Sequence, residues 1–154
     1  MKKFILFWLI ALQLVLPVKA AAPVTGAQAM IMIHGPSGRV LASHNADRRL
    51  PMASTTKIMT AMVTLDICRE LGVGLESEIL VPKEAEGVEG SSLYLKTGER
   101  VCLEELLYGL MLHSGNDAAV ALAVYCGGTV EGFAQLMNDK AHLLGMENTH
   151  FVNP

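Results

Sequence analysis

Aromatic residues are scarce, at 5% of 154, and only 18% of the chain is charged. Twelve basic side chains against fifteen acidic ones leave a net charge of −3, and no polybasic stretch interrupts that balance. Nucleic-acid binding therefore lacks its electrostatic footprint, globally and locally. The histidines, at His34, His44, His113, His142 and His150, form no H-x-x-x-H pair and do not cluster with cysteine, so no metal site is expected and no organic cofactor is implied. Cys68, Cys102 and Cys126 show no C-x-x-C spacing. Each lies in an apolar helical pattern and reads as a core residue, with at most one intrachain bridge available. Repeats, low-complexity tracts and internal linkers are also missing, which leaves one domain or part of a larger one.

What is present is apolar: 51% of the residues, enough to build a packed interior and to argue against disorder. The apolar run from Phe4 to Leu16 follows the basic pair Lys2 and Lys3 and precedes Val18-Lys19-Ala20, whose small residues suit cleavage after Ala20. As a helix that run would reach roughly 20 Å, short of the roughly 30 Å of bilayer hydrocarbon. Residues 1–20 therefore read as a secretory signal, and residues 21–154 as an exported domain.

Within that domain the pattern predicts two strands followed mainly by helices, an α+β arrangement. Ala29–His34 and Arg39–His44 flank Gly35-Pro36-Ser37-Gly38 and read as a hairpin. A long helix is expected from about Ser54 to Leu71, closed by Gly72 and Gly74. Ile58, Met59, Ala61, Met62, Leu65 and Ile67 cover more than one of its faces, so burial on several sides is expected. Val73–Gly98 reads as loop. Helices follow over Leu103–Leu112, Asp117–Tyr125 and Glu131–Leu144.

The chemistry begins at Ser54-Thr55-Thr56-Lys57. A serine in the first turn of a helix and a lysine three positions on share one face. Such a lysine can take the serine proton if desolvation favours its neutral form, and the helix N-terminus adds partial positive charge and free N–H groups beside the reacting oxygen. Alone, the pattern is more often just an N-cap serine and a solvated lysine. The apolar helix that follows Lys57 and the turn Ser114-Gly115-Asn116 downstream shift the balance toward a site.

These segments resemble the low-molecular-weight penicillin-binding proteins, the serine-type D-alanyl-D-alanine carboxypeptidases. The likeness rests on the hairpin with its glycine-rich turn, on Ala53–Thr60, on Gly90–Glu99, on Leu106–Asp117 and on Thr149–Pro154, and covers nearly all of the exported part. It implies the transpeptidase-like fold shared with β-lactamases. It also implies roles: Ser54 as nucleophile toward a peptidoglycan stem peptide or a β-lactam, and Lys57 as its base. Ser114 would relay a proton to the leaving amine, and Asn116 would bind the substrate backbone and steady Lys57. The backbone N–H of Ser54 would form half of an oxyanion hole. For a longer parent protein it implies peripheral membrane association.

Lys96-Thr97-Gly98 spells the family's third motif, but in the family that triplet follows Ser-x-Asn on a strand. Here it precedes Ser-x-Asn in a glycine-bounded turn, so it reads as a look-alike with Lys96 solvated. The chain is accordingly expected to be an incomplete, N-terminal portion of the fold that lacks the closing strands, and to fold poorly by itself. His113 reads as a helix-end residue, Met52, Met59, Met62 and Met111 as core filling, and Asp117 as a favourable charge at a helix start. Tyr94 falls in a segment that borders the cleft in the family. Three functions stay open: a D-alanyl-D-alanine carboxypeptidase, a β-lactamase-like hydrolase, for which no Glu-x-x-x-Asn loop is found, and a non-catalytic fragment.

Overall fold

The computed structural model describes residues 25–154; the signal reading of residues 1–20 lies outside them. Two compact units divide the chain, one within Met1–Arg49 and one over Leu50–Pro154.

In the first unit β1 (Met30–His34) pairs antiparallel with β2 (Arg39–His44), in register from Met30 opposite His44 to His34 opposite Arg39, with an irregularity between Met32 and Ile33. The connection is the expected glycine-bounded turn. Pro36 pre-sets a 3-10 turn, His34 Nδ1 and Ser37 Oγ lie 2.7 Å apart, and Gly38 takes φ +66°, which a side chain would resist. Asn45 Nδ2 ties the open end by donating to the Gln28 carbonyl at 3.1 Å.

The second unit is helical. Its helices are α1 (Thr56–Leu71), α2 (Leu103–Leu112), α3 (Asn116–Gly127) and α4 (Val130–Leu143). The middle position belongs to α3, which packs against the other three. Its buried face is built from Ala118, Ala119, Ala121, Leu122 and Ala123, small side chains that let neighbouring helices approach closely. One side of the core joins Leu103, Leu106, Leu110 and Leu122 to Cys68, Val81 and Leu95. The other joins Met59 and Val63 to Phe133, Met137 and Phe151.

Four expectations about the fold are corrected. The stretch read as loop contains β3 (Glu78–Leu80), which pairs antiparallel with β4 (Arg100–Cys102). Strands of three residues are too short to show period-two alternation. Next, α1 packs against the other three helices but leaves one face open: Met59, Val63 and Cys68 face inward together with Thr60 and Thr64, while Ile58, Met62 and Leu65 are exposed. Of the methionines expected to fill the core Met59 alone is buried, Met52 and Met111 being exposed together with Met62. Apolar residues in this helix outnumber the places on its packed face, so composition alone misjudged its burial. Finally, Cys102 is not a core residue. It is the N-cap of α2, its sulfur accepting the Glu105 N–H at 3.4 Å while the Glu105 carboxylate accepts the Cys102 N–H at 3.3 Å. Cys68 is buried as expected, and the three thiols are free.

Candidate active site

Ser54 sits in a 3-10 turn, Ala53–Thr55, that leads into α1 rather than in the α-helix itself. The turn is secured by Thr55, whose N–H and hydroxyl both donate to the Met52 carbonyl, at 3.2 and 2.6 Å. Ala53, immediately before Ser54, is left-handed at φ +47°. A non-glycine residue there costs on the order of 1–3 kcal/mol and persists where the surroundings over-determine it. One helical turn later Lys57 is 7% exposed. Loss of water around the amine pulls its pKa below the ordinary 10.5 and so favours the neutral form.

The partner of Lys57 comes from 59 positions downstream. Lys57 Nζ donates to Asn116 Oδ1 at 2.7 Å, and Asn116 Nδ2 donates to the Glu89 carbonyl, also at 2.7 Å. The Glu89 carbonyl fixes the orientation of the carboxamide, since only its nitrogen can donate to a carbonyl, which leaves the oxygen to accept from Lys57. Asn116 opens α3, and its own N–H donates to the Ser91 carbonyl at 2.7 Å, so an otherwise unpaired helix-start donor is satisfied. Two residues earlier Ser114, left-handed at φ +55°, turns its hydroxyl to donate to Ser54 Oγ at 2.9 Å.

Ser54, Lys57, Ser114 and Asn116 are thus brought together. Ser54, Lys57 and Asn116 line a cavity of about 480 Å³ that also meets Val88, Val120, Asn153 and Pro154. The last two are held there through Phe151, whose N–H and carbonyl both bind the Asn138 carboxamide at 2.8 Å. Asn153 and Pro154 are lining residues that motif reading alone does not find.

The other lysine motif is elsewhere in kind. Thr97 donates its N–H and hydroxyl to the Glu86 carboxylate at 3.1 and 2.6 Å, and Lys96 Nζ pairs with Glu86 at 3.5 Å. Gly98 closes the turn at φ +79° and β4 follows. This is a surface turn, as expected of a look-alike. His113 caps the C-terminal end of α2, also as expected.

Asp117 departs from its reading. Instead of acting only on the start of α3, its buried carboxylate reaches back more than twenty residues to Ser92, Leu93 and Leu95. Nothing in the local sequence signals such a reach.

Comparison with known proteins decides the lineage. The D-alanyl-D-alanine carboxypeptidase family matches residues 17–154. The chain belongs to this family. It is 36% identical over 128 residues to the D-alanyl-D-alanine carboxypeptidase DacF of Bacillus subtilis, covering 83% of the chain and 33% of that relative. With DacC of Escherichia coli it shares 41% over 136 residues, covering 84% and 34%. The crystal structure of the D-alanyl-D-alanine carboxypeptidase DacD from Francisella tularensis superposes with TM-score 0.85 at 36% identity, over 89% of the chain and 33% of that protein. Penicillin binding protein 5 from Haemophilus influenzae superposes with TM-score 0.82 at 30% identity, over 88% and 40%. The family's α+β architecture is therefore the one expected from sequence, and the chain spans about a third of the length of the curated relatives it matches.

Proposed function

We propose that the chain carries the acylating centre of an exported serine-type D-alanyl-D-alanine carboxypeptidase that trims the terminal D-alanine from peptidoglycan stem peptides. The observation that carries this reading is one cluster: a serine hydroxyl bonded to a second serine hydroxyl, beside a desolvated lysine whose partner is a neutral carboxamide. Ser54 Oγ attacks the carbonyl carbon of the D-alanyl-D-alanine bond and passes its proton to neutral Lys57 Nζ. Collapse of the tetrahedral adduct breaks the C–N bond. The departing amine takes a proton that Ser114, hydrogen-bonded to the attacking oxygen, relays from the Lys57 ammonium. Water then releases the acyl group from Ser54, and the same groups return the proton. Asn116 keeps Lys57 over the site, and the backbone N–H of Ser54 offers a donor to the oxyanion. A strained β-lactam would enter the same path and stop at the acyl-enzyme.

A fluorescent penicillin tests this. Stable labelling of the purified chain at Ser54, lost in Ser54→Ala, together with D-alanine release from a diacetyl-L-lysyl-D-alanyl-D-alanine peptide, is the expected result. Rapid turnover of the label would assign a β-lactamase-like activity instead. No labelling would overturn the proposal and leave a non-catalytic fragment.

A further inference from the structure

The mechanism above makes no use of Asp117, yet this residue is 1% exposed and sits next to Asn116. Its carboxylate accepts from Ser92 Oγ at 2.6 Å, from the N–H of Leu93 at 2.9 and 3.0 Å, from the N–H of Leu95 at 3.1 Å and from the N–H of Ala118 at 2.9 Å. Between the two bound amides stands Tyr94, left-handed at φ +62°, its own N–H donating to Ser92 Oγ at 2.9 Å. A bulky residue holds that backbone region only under constraint. The constraint is visible here, since the amides on both sides of Tyr94 point at one buried anion. Burial by itself works to raise the Asp117 pKa, but the bonds from Ser92, Leu93, Leu95 and Ala118 outweigh it and leave the carboxyl below its ordinary value.

We propose that Asp117 is a positioning residue that clamps the segment Glu89–Leu95 onto the start of α3 and thereby sets the Asn116 carboxamide that holds Lys57. The link is short. Asn116 binds the Glu89 and Ser91 carbonyls, and Asp117 binds Ser92, Leu93 and Leu95, so two adjacent residues grip almost every residue of one loop. If the carboxylate lets go, the Glu89 carbonyl moves, and with it the bond that orients Asn116 Nδ2. The Lys57 partner then loses its fixed direction. Gly90 shows how tight the fit is: a Cβ there would lie 2.7 Å from Asn116 Nδ2.

For its kinetic consequence this inference rests on the acyl-serine reading; for its structural core it does not. The test uses Asp117→Asn, which keeps the shape but replaces an acceptor oxygen with a donor, and Ser92→Ala, which removes one bond and leaves the charge, in case the first variant fails to fold. Residue-resolved amide exchange by NMR should show exchange at Leu93, Leu95 and the Asn116 carboxamide at least tenfold faster in Asp117→Asn and a few-fold faster in Ser92→Ala. The amides of Ala121–Ala123 in the middle of α3 should stay within twofold of the parent. In the penicillin assay, the acylation rate constant per labelled chain should fall at least tenfold, with the pre-acylation affinity changed less than twofold. Unchanged exchange at Leu93 and Leu95, or opening of the whole of α3 in step with them, would overturn the proposal, as would parental acylation by a variant whose loop is released. If the parent chain takes no label, the proposed function fails, and exchange at the Asn116 carboxamide alone decides the role of Asp117.

Discussion

Two lysine-bearing segments of this chain invite comparison, the start of α1 at Lys57 and the turn at Lys96. Lys57 is almost wholly buried and hydrogen-bonded to a neutral carboxamide, whereas the Lys96 side chain is 73% exposed and paired with the Glu86 carboxylate. Burial without a counter-charge penalises the ammonium and prepares a base. An exposed pair between an ammonium and a carboxylate contributes little even to stability. The same side chain, in two segments that both spell family motifs, is desolvated in only one of them. Solvent and partner decide which.

The sharpest way to break that comparison is to remove each amine. Lys57→Ala should slow penicillin labelling by about 1000-fold or more, the scale seen when one member of an acyl-transfer unit is deleted. Lys96→Ala should stay within twofold of the parent. Equal effects in a stopped labelling assay would show that burial does not separate the two sites.

The next test sharpens the comparison through pH. If neutral Lys57 is the base, the labelling rate should climb close to tenfold per pH unit and level off at a midpoint below 10.5, because its folded pKa is depressed. A midpoint at or above 10.5 would contradict the desolvated amine. Stability carries a related sign. An unfolded chain binds the Lys57 proton up to about 10.5, so the penalty of burying the ammonium is relieved as pH rises from the folded value toward 10.5. Asp117 behaves oppositely at the acid end. Its contribution is complete above the ordinary 3.8 and is lost as pH falls through its depressed folded value, which acid unfolding followed by circular dichroism would register.

A smaller effect probes the loop bonded to Asn116. Gly90→Ala forces a Cβ into a φ +93° backbone and against Asn116 Nδ2 at 2.7 Å. A loss of about 1–3 kcal/mol in thermal unfolding is expected. The matching change at Gly98, φ +79° with open space around its Cβ, should cost only the backbone part of that. Equal losses at the two glycines would mean that contact with Asn116 adds nothing.

How much of this could be read in advance depended on the range of the interaction. The hairpin was legible because a proline–glycine turn between two β-rich runs is local chemistry. The helix end at Gly72 was legible for the same reason. The pairing of β3 with β4 was not, since three-residue strands leave no periodic trace. Nor was the exposed face of α1, because counting apolar residues does not tell which side of a helix meets a neighbour. Of the site, the residue types at Ser54, Lys57, Ser114 and Asn116 stood out by spacing and resemblance. The reach of Asp117 to Leu93 and Leu95 left no mark, because a carboxylate at a helix start looks the same whether it faces water or a loop.

Taken by itself, the order of residues determined the family, the helical content and the two short motifs, since each depends on neighbours within one or two helical turns. Tertiary structure alone decided that Lys57 is dry, that Ser114 meets Ser54 and that one loop is bound to the Asn116–Asp117 pair. Those outcomes depend on desolvation and on hydrogen bonds between groups tens of residues apart, and both arise only when α1, α3 and the Glu89–Leu95 segment pack together.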